Sequence, residues 1–237
     1  NNATVTIIGD FEKNEALKLI KKYFGEHKRS ENDPPEMYTE EPKQEGPRRI
    51  TVKRAGQTGV VGVGHKTPKG LHKDNYALQL LGKILTDGKT SRFNKNIIDK
   101  GLATSVFMYD FPFKDNGMFI SYIFLTPDTN HQTVEDLVID EYKSIINSGV
   151  TTEELRRAIA QTKAGVAFSR DGSYAVASAL NEAIAIGDWT YYTTFMECID
   201  IVSESKIQEA AEKYLIEDNS TTGWFVPKKV EATQDAV

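Results

Sequence analysis

The 237-residue chain has a single cysteine, Cys198, and no long uncharged apolar run. One cysteine excludes an intrachain disulfide framework and a multi-cysteine metal cluster. Uncharged apolar runs such as 60–64 and 122–125 are far shorter than the roughly 20 residues that cross a bilayer. We therefore expect no membrane span.

Basic charge is also scarce. Lys and Arg number 29 against 34 Asp and Glu, which leaves a net charge of −5. An acidic chain lacks the positive surface that binds a phosphate backbone, so we expect no nucleic-acid partner. The hydrophobic share of 39% is typical of globular proteins, and the length is ample for a real core.

The first 25 residues predict a strand and a helix. Residues 3–8 are rich in β-branched side chains that alternate along the strand, and Gly9-Asp10 marks a turn. The helix that follows places apolar side chains on one face and ends near Gly25. A strand this close to the first residue needs partners from elsewhere, and the sequence does not open with Met. We therefore expect residues 1–25 to be the last strand and helix of a preceding, truncated domain.

Residues 26–49 differ in composition. Half of these 24 residues are charged, and the segment holds four of the eight prolines in the chain. Its only large apolar residues are Met37 and Tyr38. Such a segment buries too little apolar surface to offset the entropy of ordering it, so it is predicted to be a linker.

Residues 50–228 predict a compact α+β domain. Strands are expected near 50–53, 60–63, 104–109, 118–125 and 221–226, with helices between the second and third and between the fourth and fifth. Asp74 is the expected N-cap of the first helix, and Thr151 with Glu154 forms a capping box. This order favours an antiparallel sheet covered by helices on one face.

Common catalytic motifs are missing from the chain. Gly88-Lys89-Thr90 lies in a helical context without the glycine spacing of a phosphate-binding loop, and there is no Gly-x-Ser-x-Gly. No two of the four histidines have a spacing that would put two zinc ligands on one helical face. His131 and Glu135 stand four residues apart, and we interpret them as an exposed helix pair.

One polar constellation remains, at a predicted break between helices. Arg170 and Tyr174 flank Gly172, the expected helix breaker, and Ser173, the expected N-cap. Both side chains can donate hydrogen bonds to a peptide carbonyl or an oxyanion. The alternative is that Arg170 pairs with a surface carboxylate and Tyr174 packs into the core.

Several strings together resemble a known family. They are Asn2-Ala3-Thr4 through Gly9-Asp10-Phe11, Glu15–Phe24, Asp74–Leu85, Gly88-Lys89-Thr90-Ser91-Arg92-Phe93, Thr152-Glu153-Glu154-Leu155 and Gly187-Asp188-Trp189. In this order, over nearly the whole chain, they resemble the second half of the insulinase/pitrilysin-like zinc peptidases, which include the mitochondrial processing peptidases.

The resemblance implies a specific organisation. In this family two similar α+β domains face each other, and the first carries an inverted His-x-x-Glu-His zinc motif, while the second usually has no metal. Residues 1–25 would then end the first domain, 26–49 would be the linker and 50–228 the second domain. The parent would be a zinc metallopeptidase with its zinc in the missing N-terminal half. This chain alone, with no cofactor, would be inactive.

The resemblance also implies partners and site residues. The partners would be a peptide or unfolded polypeptide substrate and the missing N-terminal half or a zinc-bearing partner subunit. Family members often carry an Arg and a Tyr in this half that donate to the substrate, and Arg170 and Tyr174 are the candidates here. Their separation of four residues is closer than the family's usual spacing.

Two other functions stay open. Some relatives have lost the zinc motif and serve as non-catalytic subunits or structural core proteins. A stand-alone peptide-binding module is a third reading, and the unpartnered strand predicted at 3–8 argues against it.

Overall fold

The structure is a computed structural model that describes residues 1–35 and 42–228. Part of the predicted linker, including Met37 and Tyr38, and the last nine residues lie outside the described residues. The strands are β1 (Arg48–Ala55), β2 (Val60–Lys69), β3 (Ala103–Phe111), β4 (Asn116–Leu125) and β5 (Ser220–Lys228). The helices are α1 (Lys13–Phe24), α2 (Asp74–Thr86), α3 (His131–Ser148), α4 (Thr152–Ser169), α5 (Ser173–Ile186), α6 (Thr190–Asp200) and α7 (Glu204–Tyr214). Short helical turns cover Asn94–Ile98 and Glu217–Asn219.

The five strands form one sheet in the order β1-β5-β2-β4-β3. The predicted α+β class is confirmed, but the sheet is not fully antiparallel, because β1 and β5 run parallel. The reason is geometric: β1 and β2 run in opposite directions around the turn at 56–59, and β5 inserts between them. Since β5 is antiparallel to β2, it must be parallel to β1.

The core lies between one face of the sheet and the helices. Alternate residues of β2 and β4 point toward this core, and α2 covers them with a broad apolar face, as its sequence pattern predicts. The residues buried from these three elements include Val61, Val63, Phe119, Ile123, Ala77, Leu78, Leu81, Ile84 and Leu85. α3 and α7 complete the cover with Val134, Val138, Ile145, Ile207 and Ala211.

Helix ends follow the sequence signals at two helices, with a correction at Asp74 and a second at Ser173 described below. The capping box at Thr151 and Glu154 is present, and the Ser203 side chain caps α7 by accepting from the Lys206 amide. Asp74, however, is the first residue of α2 rather than its N-cap, a position that Lys73 occupies without a side-chain hydrogen bond.

A partly buried ion network centred on Arg92 joins the segment after α2 to α3 and to the start of α4. The Arg92 guanidinium donates to Glu154 at 2.7 and 2.8 Å, to Glu141 at 2.9 Å and to the carbonyl of Gly149 at 3.2 Å. Burial alone would raise the pKa of Glu154, but the hydrogen bonds from Arg92 and Thr151 outweigh it and bring that pKa to about 2. The network therefore binds the start of α4 to α3 and to the residues after α2.

The N-terminal segment corrects one expectation. Residues 3–8 form no strand and pair with neither edge strand of the sheet. They run beside α5 instead, where the Thr6 hydroxyl donates to the Asn181 side chain at 2.7 Å. The predicted helix is present as α1, yet none of its residues is buried, and Tyr23 and Phe24 are more than half exposed.

The end of the predicted linker contacts the domain. Gln44 is buried, and its amide donates to the carbonyl oxygen of Ser220 at 2.6 Å. β1 begins at Arg48, two residues earlier than the sequence predicts. In the part of the chain that the structure describes, every helix is too short or too polar to cross a membrane.

Candidate functional site

The predicted break between helices is real. α4 ends at Ser169 and α5 begins at Ser173, with Gly172 at a φ of 88°, a backbone conformation that side chains with a Cβ rarely adopt. Gly172 itself occupies the N-cap position of α5, so Ser173 is not the N-cap that the sequence predicted. The break places Arg170 just after the end of one helix and Tyr174 in the first turn of the next.

Arg170 does not form the surface ion pair considered from sequence. Its guanidinium lies 4.8 Å from the centre of the Tyr192 ring and donates to the Tyr192 carbonyl at 3.4 Å. No carboxylate pairs with it among residues 1–35 and 42–228. The aromatic ring holds the cation at the surface without neutralising it, so the guanidinium can still donate to a ligand.

Tyr174 likewise does not pack into the core, since 84% of it is exposed. The structure does not bring the two predicted residues into one cavity. Arg170 borders a cavity between the helices and β3, whereas the residues lining that cavity do not include Tyr174.

That cavity, hereafter the Asp110 pocket, has a volume of about 470 Å³. It lies between the end of β3 and the helices α2, α4, α5 and α6. Aromatic and aliphatic side chains make much of its wall, together with a few polar groups. Its lining includes Gln79, Lys83, Met108, Asp110, Val166, Arg170, Glu182, Ile186, Tyr191, Tyr192 and Phe195.

Asp110 is the unusual group of this pocket. It lies on the same, inward-facing side of β3 as Met108. Both of its carboxylate oxygens are buried and make no hydrogen bond of normal geometry within the described chain. Burial raises the pKa of Asp110 to about 7, and the nearby Gln79 side chain offsets this only in part. The Gln79 amide donates to the Tyr191 hydroxyl at 2.9 Å.

Sequence reasoning did not single out Asp110. The signal was available: alternation from Val106 and Met108 puts residue 110 on the helix-facing side of its strand. An acidic residue in that register is unusual, because burying an unpaired carboxylate costs several kcal/mol.

A second concave surface lies on the sheet face that the helices leave uncovered. This groove, hereafter the sheet groove, has a volume of about 710 Å³ and a mainly apolar lining from β1, β2, β4 and β5. Beside it, Phe107, Tyr109, Phe111 and Phe113 stack in sequence along β3, with ring centres 5.8 to 6.5 Å apart. Pro112 lines the Asp110 pocket and Phe113 lines the sheet groove, so the two depressions adjoin at the end of β3.

The histidines do not fit a zinc ion. His65 is buried, and desolvation lowers the pKa of its imidazole to about 4. The His131 ring bonds the Phe225 carbonyl at 2.9 Å, and Nδ1 of His72 accepts from the Asp74 amide. No group of three or more His, Cys, Asp or Glu side chains that could hold a metal ion occurs among the described residues.

The predicted exposed pair of His131 and Glu135 is also corrected. Glu135 is only 3% exposed, pairs with Arg49 of β1 and accepts from the indole of Trp224 at 2.8 Å. These contacts fasten α3 to the sheet at β1 and β5.

Comparison with known proteins identifies the family. The sequence profile described as "Peptidase M16 inactive domain" matches residues 1–162. The zinc protease PqqE of Helicobacter pylori is 26% identical over 229 residues, which are 95% of this chain and 52% of that protein. The uncharacterized zinc protease YmxG of Bacillus subtilis is 25% identical over 162 residues, 66% of this chain and 37% of that protein. The chain thus spans about half the length of these relatives or less.

Comparison with solved structures gives the same result as comparison of sequences. A protease from Helicobacter pylori superimposes with a TM-score of 0.86 at 26% identity, over 93% of this chain and 54% of that one. An inactive peptidase domain from Bordetella parapertussis shares the fold, with a TM-score of 0.69 at 24% identity, over 78% of this chain and 99% of that one. The chain therefore belongs to the peptidase M16 inactive-domain family.

Proposed function

We propose that this chain is the C-terminal, zinc-free half of a zinc metallopeptidase, and that it holds a peptide substrate against a zinc site carried by the other half. The match of residues 1–162 to the M16 inactive-domain family carries this proposal. We propose that the hydrolytic step takes place at the zinc site of the other half. Its own contribution is to bind and orient the peptide.

The first 25 residues support the existence of a second half. Apolar side chains of α1 and of the segment before it, among them Val5, Phe11, Leu17 and Tyr23, are between 43% and 64% exposed. Exposed apolar residues clustered on one helix and its flank are typical of a surface that another domain covers. We propose that residues 1–25 complete the preceding domain, that 26–49 link the halves and that 50–228 form the second domain.

We propose two separate surfaces for a peptide, the sheet groove on the uncovered sheet face and the α4–α5 break among the helices. An extended peptide binds well to a concave apolar surface with a few polar groups. The sheet groove offers the apolar surface. At the exposed helix junction, Arg170 presents a guanidinium without a carboxylate partner among the described residues, and Tyr174 presents an exposed hydroxyl. We propose that both residues donate to peptide carbonyl groups.

The test uses the full-length parent protein, purified with both of its proposed halves. Zinc is measured by elemental analysis after dialysis, and turnover is followed with an internally quenched peptide. We expect about one zinc per chain. A hydrogen bond to a charged group contributes about 1.5–3 kcal/mol, so Arg170→Ala should lower kcat/KM by about tenfold or more without loss of zinc.

Arg156→Ala is the matched control, since Arg156 lies on α4, is 72% exposed and, among the described residues, pairs only with Glu153. It should leave turnover unchanged. Equal kinetics for Arg170→Ala and Arg156→Ala would remove Arg170 from the substrate site. A protein without zinc or turnover would instead be a non-catalytic subunit or structural core protein of the family.

A further inference from the structure

The Asp110 pocket contains a buried carboxylate whose ionised form is poorly stabilised. Both oxygens of the Asp110 carboxylate are buried and make no hydrogen bond of normal geometry in the described part of the chain, although the Gln79 side chain lies close enough to lower the pKa of Asp110 in part. A carboxylate in such a position is costly in the ionised form unless a cation or several donors complete it. Asp110 lines a cavity of about 470 Å³, which is large enough to admit such a group.

The protein's own cations near the pocket are engaged elsewhere. Lys83 pairs with Asp87 at 3.1 Å along α2, and the Arg170 guanidinium lies on the Tyr192 ring. Neither forms an ion pair with Asp110. The position that a counter-ion would take beside the carboxylate is therefore not filled by these side chains.

The walls of the pocket define the rest of the ligand. Tyr191, Tyr192 and Phe195 present aromatic surface, and Met108 and Ile186 present aliphatic surface. An alkyl stem gains by contact with such surface, and a cationic head gains from nearby aromatic rings and from a carboxylate. A side chain with an apolar stem and a charged nitrogen at its end has this combination.

We propose that the Asp110 pocket binds the cationic head of an alkyl ammonium or guanidinium group, with the Asp110 carboxylate as its counter-ion. The group can belong to a lysine or arginine of a peptide or to a free alkyl amine. The peptide source rests on the proposed function, whereas the pocket itself does not.

The pocket predicts a pH dependence. The charged and titratable groups that line it with Asp110 are Lys83 on α2, Arg170 at the end of α4, Glu182 on α5, and Tyr191 and Tyr192 on α6. Because burial raises the pKa of Asp110 to about 7, the carboxylate is protonated in mildly acidic buffer and ionised above neutrality. Cation binding should therefore strengthen as the pH rises from 6 to 8.

The experiment is isothermal titration calorimetry of the 237-residue chain at pH 8 and pH 6. The probes are the capped pentapeptide Ala-Ala-Lys-Ala-Ala, the same peptide with norleucine in place of lysine, and 1,5-diaminopentane. The test variant is Asp110→Asn, which keeps the shape and removes the charge. The matched control is Asp115→Asn, in the exposed turn between β3 and β4.

We expect the lysine peptide to bind at least about tenfold more tightly than the norleucine peptide at pH 8, and this difference to disappear in Asp110→Asn but to persist in Asp115→Asn. A tenfold change corresponds to about 1.4 kcal/mol, which a single charge-assisted hydrogen bond supplies. Circular dichroism and thermal unfolding of both variants verify the fold. Asp110→Asn should be no less stable than the parent chain at pH 8, since it removes a buried charge.

Measurable binding of the lysine and norleucine peptides with equal affinity, equal binding of the cationic probes by Asp110→Asn, or no binding of any probe would overturn the proposal. Binding of 1,5-diaminopentane without the peptide would support the cation site and reject the peptide as its source. The two proposals fail separately. A zinc-free, inactive parent protein leaves the calorimetric result intact, and an empty pocket leaves zinc content and the effect of Arg170→Ala unchanged.

Discussion

Acid should destabilise this domain through His65. The imidazole lies in the core, 5.4 Å from the Tyr142 ring centre, its Nδ1 has no hydrogen-bond partner among the described residues, and burial lowers its pKa to about 4. The unfolded chain has an ordinary histidine pKa of about 6.5. Between these values the unfolded state binds the proton and the native state does not, so stability falls as the pH falls.

The magnitude follows from the two pKa values. At 1.36 kcal/mol per pKa unit, the free energy of unfolding should drop by about 2.5 kcal/mol between pH 7.5 and pH 4.5 from His65 alone. The assay is urea unfolding followed by tryptophan fluorescence at four pH values, for the parent chain, His65→Gln and His27→Gln. His27 is exposed and serves as the matched control.

Other groups titrate in the same interval, so the informative quantity is the difference between variants. Asp110 has the opposite sign, because its raised pKa makes the native state lose stability as the pH rises toward 7. His65→Gln should lose about 2.5 kcal/mol less than the parent chain on acidification, and His27→Gln should follow the parent chain. Parallel curves for the parent chain and His65→Gln would refute the reasoning.

Two further changes test the packing by urea unfolding. Arg92→Met should lower the free energy of unfolding by about 3–5 kcal/mol, because it leaves the carboxylates of Glu141 and Glu154, each under 20% exposed, without their cation. Arg92→Lys should lower it less, and equal losses for the two variants would contradict a role for the charge. Gly117→Ala should cost about 1–3 kcal/mol, since its Cβ would clash with a backbone carbonyl oxygen of β3. Gly223→Ala has open space and should stay within about 0.5 kcal/mol, so equal effects at both glycines would reject the clash.

Local features of the fold were predictable from the sequence. The apolar face of α2, the capping box at Thr151 and the pairing of β3 with β4 depend on residues close together in the chain. Period and capping chemistry report such features directly. The helix break at Gly172 was found in the same way.

Features that depend on distant partners were not predictable. The alternation at residues 3–8 is a strand pattern, but no strand forms there in the described chain, because the pattern alone does not determine whether the segment docks on a sheet edge. The spacing of His131 and Glu135 says nothing of Arg49 or Trp224, which come from the far ends of the domain. Local spacing also did not predict that β5 pairs between β1 and β2.

The candidate site was predictable only in part. The sequence identified the Arg170 and Tyr174 junction and its donors, but it did not reveal that Tyr192 lies beneath the guanidinium. Asp110 was missed because an acidic residue near a strand end is more often part of a turn than of a cavity wall. Its importance follows from the helices above it, which come from four separate parts of the chain.

The insertion of β5 between β1 and β2 has a consequence for synthesis. On the ribosome the β1–β2 segment emerges before β5, yet within the described residues β1 bonds only to β5, with Arg48 opposite Thr221. β1 therefore has no strand of the described sheet to bond with until residues 220–228 have been made. A nascent chain stalled before residue 220 should expose β1 and one edge of β2 to proteases and chaperones, whereas the β2–β4–β3 unit can already pair.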